Sequence, residues 1–392
     1  MTISYSIKQN EISISQRLQS LLEPLGGMDN FVQPGETVLI KPNLVAPFPH
    51  AVTDLDLLSS VVEQVQNCGG KPIIGESSGF EFDTETTFKI LGIYDLAERL
   101  NVPFINFDNE EFVPIKLTKI NDTVVKIPKI VLETDKFINM PKLKRHSLTK
   151  ATIGIKNLFG LLDYDSRRHL HAFELERGIF ALGQAVIPNL VIVDGSIVTE
   201  RAVYGKQTQL NLLAASKNIA AMDVFCCQYL NLNWQDVKHI KLTVDEQPDT
   251  LPFKTINVSE KIDADSSEIK ETVSAPSIQK WQDSLSKKIH RSIYQALYFL
   301  DIFYSRVRKQ RSIIPVLHYY FGIRPVLDKK RCNDCGLCLP VCPVNAINIP
   351  KRSINAKRCM PVRCLECVTA CPEDAISVRG RNVDPSMIKA KR

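Results

Sequence analysis

Eight of the chain's eleven cysteines lie between Cys332 and Cys371, a window of 40 residues in a chain of 392. Only Cys68, Cys226 and Cys227 stand elsewhere. A segment this rich in thiols and this poor in apolar mass cannot be held by a hydrophobic core alone. The opening Met1-Thr2-Ile3-Ser4-Tyr5-Ser6 has no basic region followed by an apolar run. Nothing therefore predicts export, and a cytoplasmic location is expected. In a reducing compartment, clustered thiols read as metal ligands, not as a disulfide framework.

The window is an internal duplication. Lys330-Arg331-Cys332 recurs as Lys357-Arg358-Cys359, and Cys342-Pro343-Val344-Asn345-Ala346-Ile347 recurs as Cys371-Pro372-Glu373-Asp374-Ala375-Ile376. The first copy reads Cys332-x-x-Cys335-x-x-Cys338-x-x-x-Cys342-Pro343. That is the run by which bacterial ferredoxins hold iron–sulfur clusters, with the fourth cysteine serving the other cluster. Three thiolates two residues apart wrap a tight loop around one cluster, and the fourth points away. Two [4Fe–4S] clusters are expected. Cys332, Cys335, Cys338 and Cys371 would hold the first, and Cys359, Cys364, Cys367 and Cys342 the second. The second copy carries two extra residues after Cys359. Ligation by Cys359 on a wider loop is expected, the alternative being a three-iron or labile centre. Zinc is the competing metal, but its sites use paired Cys-x-x-Cys knuckles, not two four-cysteine runs ending in Cys-Pro.

Ahead of the cysteines, short apolar runs alternate with helical patterns. Strands are expected at Thr37–Ile40, Pro72–Gly75, Phe104–Asn106, Lys136–Met140, Leu190–Val193 and Leu210–Leu213. Helices are expected at Leu57–Cys68, Thr84–Leu100 with a break near Gly92, Phe173–Val186 and Ile219–Leu230. This alternation predicts an α/β domain with a largely parallel sheet over 1–262, beside a small α+β ferredoxin-like domain over 327–384. Residues 263–326 are read as a polar linker and a basic amphipathic helix, and 385–392 as a tail.

The charge sits in that connecting stretch. Between Ile278 and Lys330, eleven Lys/Arg stand against three Asp, a net of +8, so the rest of the chain is about neutral within a total of +6. Trp281, Leu285, Ile289, Ile293, Leu297, Leu300, Phe303 and Val307 recur at helical spacing. The helix packs on its own protein, or residues 278–311 touch an anionic membrane surface. The segment matches no nucleic-acid-binding motif, so no nucleic-acid partner is expected. No stretch approaches the ~18 uninterrupted apolar residues of a membrane span.

Several stretches together resemble the domain of unknown function 362 family. They are Val38-Leu39-Ile40-Lys41-Pro42-Asn43-Leu44-Val45, Gly75-Glu76-Ser77-Ser78-Gly79 and Met140-Pro141-Lys142-Leu143-Lys144-Arg145-His146. Gly154-Ile155-Lys156-Asn157-Leu158-Phe159-Gly160 and Leu190-Val191-Ile192-Val193-Asp194-Gly195 complete the set. The resemblance spans roughly residues 35–235 and implies an appended ferredoxin module, but no particular reaction. The chain departs from the family at Thr199–Gly205, where an acidic-Gly-x-Gly-Pro stretch is usual, and at Asn218, where Asp is usual.

Read directly, Lys41, Asn43, Lys142, Lys144, His146, Lys156 and Asn157 follow strand-like runs or open helices. In an open α/β sheet the ligand crevice lies at the carboxyl ends of the strands. Lysines there suit a carboxylate or phosphate. Ser77 and Ser78 lie in a strand-to-helix turn that could form a backbone nest for an anion. His146, Lys142 and Asp194 are the candidate catalytic residues, His146 to move a proton and Asp194 to orient a lysine or a hydroxyl. Glu200 and Asp223 are weaker candidates, and His169-x-His171 after Arg167-Arg168 is a weaker candidate for a metal, its spacing being that of a strand or loop rather than of one helix face. The chain lacks Gly-x-Gly-x-x-Gly after a strand, a phosphate loop and a nucleophile elbow. The expected function is an iron–sulfur oxidoreductase relaying electrons to or from an anionic substrate. The alternatives are an electron carrier or assembly factor docking a redox partner protein, and a non-redox enzyme with structural clusters.

Overall fold

The computed structural model describes residues 1–7, 12–79, 81–200, 203, 207–259, 295–304, 313, 317, 324–360 and 364–379. Twelve strands make up the α/β region: β1 (Thr2–Ile7), β2 (Thr37–Lys41), β3 (Lys71–Glu76), β4 (Phe104–Asn106), β5 (Phe112–Leu117), β6 (Thr123–Pro128), β7 (Lys136–Asn139), β8 (Lys142–His146), β9 (Lys150–Thr152), β10 (Leu190–Thr199), β11 (Gln207–Ser216) and β12 (Lys254–Asn257). Ten of them form one sheet, whose main path runs β12-β1-β11-β10-β7-β2-β3-β4. Strands β4, β3, β2, β7 and β10 are mutually parallel. Strand β11 runs antiparallel to both β10 and β1. The remaining pair, β5 and β6, is a separate antiparallel hairpin.

The sheet is buried on both faces. One apolar core gathers Leu39, Val191, Val193 and Phe107 with Leu158, Leu182 and Phe225. The other gathers Val38, Ile40, Ile74, Ile138 and Ile192 with Leu57, Val61 and Phe88. Neighbouring strand residues therefore feed opposite cores. This explains why β2, β3 and β10 read as continuous apolar runs instead of alternating ones.

The longer helices match their patterns. Leu55–Asn67 starts at Asp54, whose side chain accepts from the N–H groups of Asp56 and Leu57. Thr84–Leu91 and Ile93–Leu100 are separated by Gly92 at φ +70°, a left-handed turn natural to glycine. Other expectations need correction. The Phe173–Val186 pattern is helix Leu175–Ala185, and a helix that was not expected, Tyr164–Phe173, precedes it. Thus His169 and His171 lie on a helix, not on a strand or loop. Strands β1, β5, β6, β8, β9 and β12 fall where no apolar run marked them, because most are short or carry polar residues.

Strand β7 ends at Asn139, Met140 and Pro141 bend the chain, and β8 resumes beside the far end of β10. This split at the carboxyl end of the sheet turns Lys142 and Lys144 inward. Helix 295–304 crosses the same end of the sheet. Asp301 of that helix is fully buried, accepting from Tyr164 Oη at 3.0 Å and from Arg168 Nη1 at 3.1 Å. The expected linker at 263–277 and the apolar stripe from Trp281 to Ile293 lie outside the described residues, as does the tail at 385–392.

The C-terminal region contains two small antiparallel pairs, Arg324–Leu327 with Ile376–Arg379 and Ile347–Asn348 with Ser353–Ile354. Two one-turn helices, Ala356–Cys359 and Glu366–Thr369, carry cysteines of the second copy.

Candidate functional site

A cavity of about 370 Å³ opens at the carboxyl end of the sheet. Its wall includes Lys41, Asn43, Glu76, Ser77, Ser78 and Lys144, all expected to face a ligand except Glu76. It also includes His146, Lys156 and Asn157, His171 of the His169-x-His171 pair, and three residues not anticipated as site residues: Arg167, Arg168 and Asp301. The arginines and His171 come from helix Tyr164–Phe173, and Asp301 from helix 295–304.

The cations differ in how they are balanced. Lys41 Nζ lies 2.7 Å from Glu76 Oε2, and both side chains are essentially inaccessible. Gly160 makes this pair possible, because a Cβ there would meet Glu76 Oε1 at 2.6 Å and Lys41 Nζ at 2.9 Å. Arg168 pairs with Asp301 and Asp165. Arg167 donates to Leu162 O, Ser78 O and Ser77 Oγ, and lies 3.8 Å from Asp108.

Lys144 and Lys156 are different. Lys144 Nζ donates to Asn43 Oδ1 at 2.9 Å and to Ala51 O at 2.8 Å, both neutral acceptors. Lys156 Nζ lies 4.2 Å from the centre of the Phe159 ring. Burial, with added repulsion from neighbouring cations, lowers each ammonium to about 7. Both therefore sit near the midpoint of titration at neutral pH, and an anion in the cavity would draw them to the charged form.

A chain of buried amides positions Lys144. Asn43 Nδ2 donates to Asn157 Oδ1 at 2.8 Å, Asn157 Nδ2 to Asn139 Oδ1 at 2.8 Å, and Asn139 Nδ2 to Gly154 O at 3.0 Å. Asn43 and Asn157 thus act on the lysine as much as they line the cavity. The hydroxyls of Ser77 and Ser78 are also committed internally. Ser77 Oγ donates to Gly160 O, and Ser78 Oγ bonds Phe82 O and the Thr84 hydroxyl. In the expected anion nest, the backbone N–H groups of Ser77 and Gly79 are also taken, by Glu76 Oε1 and Val45 O.

His146 Nδ1 accepts from the backbone N–H groups of Leu148 and Thr149, at 3.1 and 3.2 Å. Those bonds leave the ring proton on Nε2. Burial, followed by the charges of Lys156 and Lys144, holds His146 neutral with a depressed pKa. Burial and Lys156 do the same for His171, whose ring stands edge-on to Phe159 at 5.3 Å. His169 instead contacts Phe173 and Tyr298.

Lys142 and Asp194 do not line the cavity. They form their own buried pair at 2.8 Å. Asp194 also accepts from Ser196 and from the backbone N–H of Asp54, so it ties β10 to the start of helix Leu55–Asn67. Their expected catalytic roles give way to a structural one. Asp223 accepts from the N–H groups of Gly154 and Ile155 at 2.7 and 3.0 Å, capping the short helix that carries Lys156. Asn218, one of the departures from the family pattern, caps helix Ile219–Tyr229 through Ala221 N–H at 2.7 Å. Arg167 and His171 lay in a polar stretch with no apolar frame. Their signals were the density of basic residues there and, for His171, its pairing with His169.

In the C-terminal region none of the eight cysteines is in a disulfide. Cys332, Cys335, Cys338 and Cys371 surround one small pocket with Leu327, Ile349 and Ile376. Burial raises the Cys338 thiol, and Cys371, Cys335 and Cys332 are the thiols that add to the effect. Burial likewise raises Cys367, whose neighbouring thiols are Cys364, Cys359, Cys342 and Cys338. The sulfurs of Cys342 and Cys371 accept from the N–H groups of Ala346 and Ala375, at 3.1 and 3.2 Å, in matching positions of the repeat. Among the described residues no three ligating side chains converge on a single point as one ion requires. Four cysteines spaced around one pocket, in the order the repeat sets, suit a polynuclear iron–sulfur centre.

The sequence matches the domain of unknown function family (DUF362) over residues 38–228 and the 4Fe-4S dicluster domain over residues 331–375. A thylakoid-associated protein of Synechocystis sp. is 32% identical over 239 residues, which are 56% of this chain and 71% of that protein. The chain belongs to the DUF362 family. It is a DUF362 protein joined to an iron–sulfur domain of the ferredoxin type. Among solved structures, the lactate racemase apoprotein of Thermoanaerobacterium thermosaccharolyticum aligns at 16% identity with a TM-score of 0.41. A structural-genomics protein from Thermotoga maritima aligns at 15% with a TM-score of 0.35. The alignments cover 58% and 59% of this chain, and 57% and 58% of those two.

Proposed function

We propose that this DUF362 protein is an oxidoreductase that reduces an anionic organic substrate bound in the basic cavity. The observation carrying this reading is the pair Lys144 and Lys156, buried in one cavity with no carboxylate at ion-pair distance among the described residues. Two [4Fe–4S] clusters complete the proposal, held by Cys332, Cys335, Cys338 and Cys371 and by Cys342, Cys359, Cys364 and Cys367. When bound, they supply single electrons, two of which, with two protons, convert a two-electron acceptor to its reduced form. A reduced one-electron carrier protein is the external donor. Lys144 and Lys156 bind the substrate anion. Near neutral pH they are also better proton sources than His146, whose neutral ring offers only an Nε2–H hydrogen bond. Glu76 holds Lys41 in place, and helix 295–304 limits access of water.

The test is anaerobic. The dithionite-reduced protein is mixed with a panel of small carboxylates and phosphate esters, and cluster reoxidation is followed by visible absorption. One member of the panel should reoxidise the protein, and Lys144→Met/Lys156→Met should slow that reaction at least about a hundredfold with iron content intact. Reoxidation by none of them, with fast electron exchange to a carrier protein, would favour the electron-carrier reading.

A peripheral membrane contact is a second reading, favoured by one observation. Phe299, Leu300 and Phe303 are exposed on helix 295–304, within the most basic stretch of the chain. The thylakoid association in the relative's name agrees with it. Among the described residues no helix is long and apolar enough to cross a membrane.

A further inference from the structure

The two cysteine loops are repeats of one another, yet they differ at one telling position. Directly after the second cysteine of each run stands Gly336 in the first loop and Leu365 in the second. Both adopt left-handed backbone, φ +74° at Gly336 and +63° at Leu365. Glycine takes that conformation freely, whereas a residue with a Cβ is strained by it. Leucine is thus present against the preference of its own backbone, and the contact it makes supplies a reason.

Its side chain packs on an apolar patch of the α/β region built from Ala46, Phe48, Ala51, Phe82 and Val203. Phe48 and Phe82 meet edge-on at 5.8 Å. Phe82 and Val203 also line the basic cavity. One leucine therefore bridges the second cysteine loop and the cavity wall. The corresponding stretch of the first loop shows the opposite character, with Leu337 54% and Leu339 43% exposed.

We propose that Leu365 is a positioning residue that seats the second cysteine loop on the cavity wall, so that the Cys342, Cys359, Cys364 and Cys367 set adjoins the ligand site. This deepens the oxidoreductase reading and rests on it for its purpose. The seat itself can be tested without any substrate.

The test uses the full-length holoprotein, purified without oxygen, and its Leu365→Gly and Leu365→Asp variants. Glycine relieves the backbone strain while removing the contact, so iron and sulfide content should stay at the wild-type level. Two readouts follow: hydrogen exchange of the 44–52 backbone, and potentiometric titration monitored by electron paramagnetic resonance. The seat predicts exchange at 44–52 at least about tenfold faster in both variants. It also predicts a shifted midpoint for one iron–sulfur signal, with the other unchanged. Unaltered exchange and unaltered midpoints would overturn it. Loss of iron from Leu365→Gly would overturn it as well, since the leucine would then serve its own loop. If the seat is found but no anion reoxidises the protein, the oxidoreductase reading fails and the positioning role stands.

Discussion

In the α/β region, Leu39, Ile40, Val191 and Ile192 are fully buried, each strand feeding a core on either side of the sheet. In the C-terminal region, three of the seven buried residues of the small core are cysteines: Cys338, Cys367 and Cys371 pack with Ile347, Val368, Ala375 and Ile376. The first region is held by apolar area. The second has too little of it and depends on what its thiols bind. The same division governs charge. In the α/β region Lys41 pairs with Glu76 and Lys142 with Asp194, whereas Lys144 and Lys156, which share the cavity, have no carboxylate at ion-pair distance among the described residues. Those two lysines mark the site.

The comparison breaks most visibly on metal removal. Chelating or oxidising away the iron should unfold residues 324–379 and leave the ten-stranded sheet intact. Hydrogen exchange would then show the C-terminal amides losing protection while those of β2, β7 and β10 keep theirs. Equal loss in both regions would mean that the sheet also depends on the metal.

Within the α/β region, Lys41→Ala leaves Glu76 buried and unpaired, an error of about 3–5 kcal/mol. Urea unfolding should register that cost. Lys41→Met combined with Glu76→Leu should recover most of it, because the pair gains little over apolar side chains of similar size.

A smaller effect of opposite sign is expected at Lys144. Its ammonium is pulled from an ordinary 10.5 to about 7 by burial, so folding disfavours the protonated form. The penalty is complete below about pH 7, declines as pH rises, and vanishes above the unfolded value. Lys144→Met should therefore stabilise the ligand-free protein by about 1–3 kcal/mol at pH 6, after loss of two hydrogen bonds, and by less at pH 9. Anion binding has the matching sign. Above pH 7 each lysine must gain a proton on binding, so affinity should fall by up to about tenfold per pH unit for each of the two.

What could be read from the sequence divides along the same line. Apolar runs located β2, β3, β7 and β10 because each is buried on both faces, and the cysteine spacing located the metal region because ligand geometry leaves little freedom. The carboxyl ends of strands drew attention to Lys41, Lys144, Lys156 and His146, which the structure brings to one cavity. Lys142 and Asp194 looked equally suitable, because sequence cannot distinguish a lysine paired across strands from one facing a cavity. Arg167 was not placed at the site, and His171 was weighed only for its spacing from His169, because helix Tyr164–Phe173 is mostly polar and has only a weak apolar face. Leu365 could not have been singled out, since its significance lies in a contact with residues more than 150 positions away in the chain.

Native mass spectrometry of the anaerobically purified protein tests the central claim most directly, with Lys144→Met/Lys156→Met measured alongside. The account predicts the mass of two [4Fe–4S] clusters in both proteins, and an additional organic anion in the wild type alone. Identical masses for the two proteins, with no retained anion in either, would contradict it.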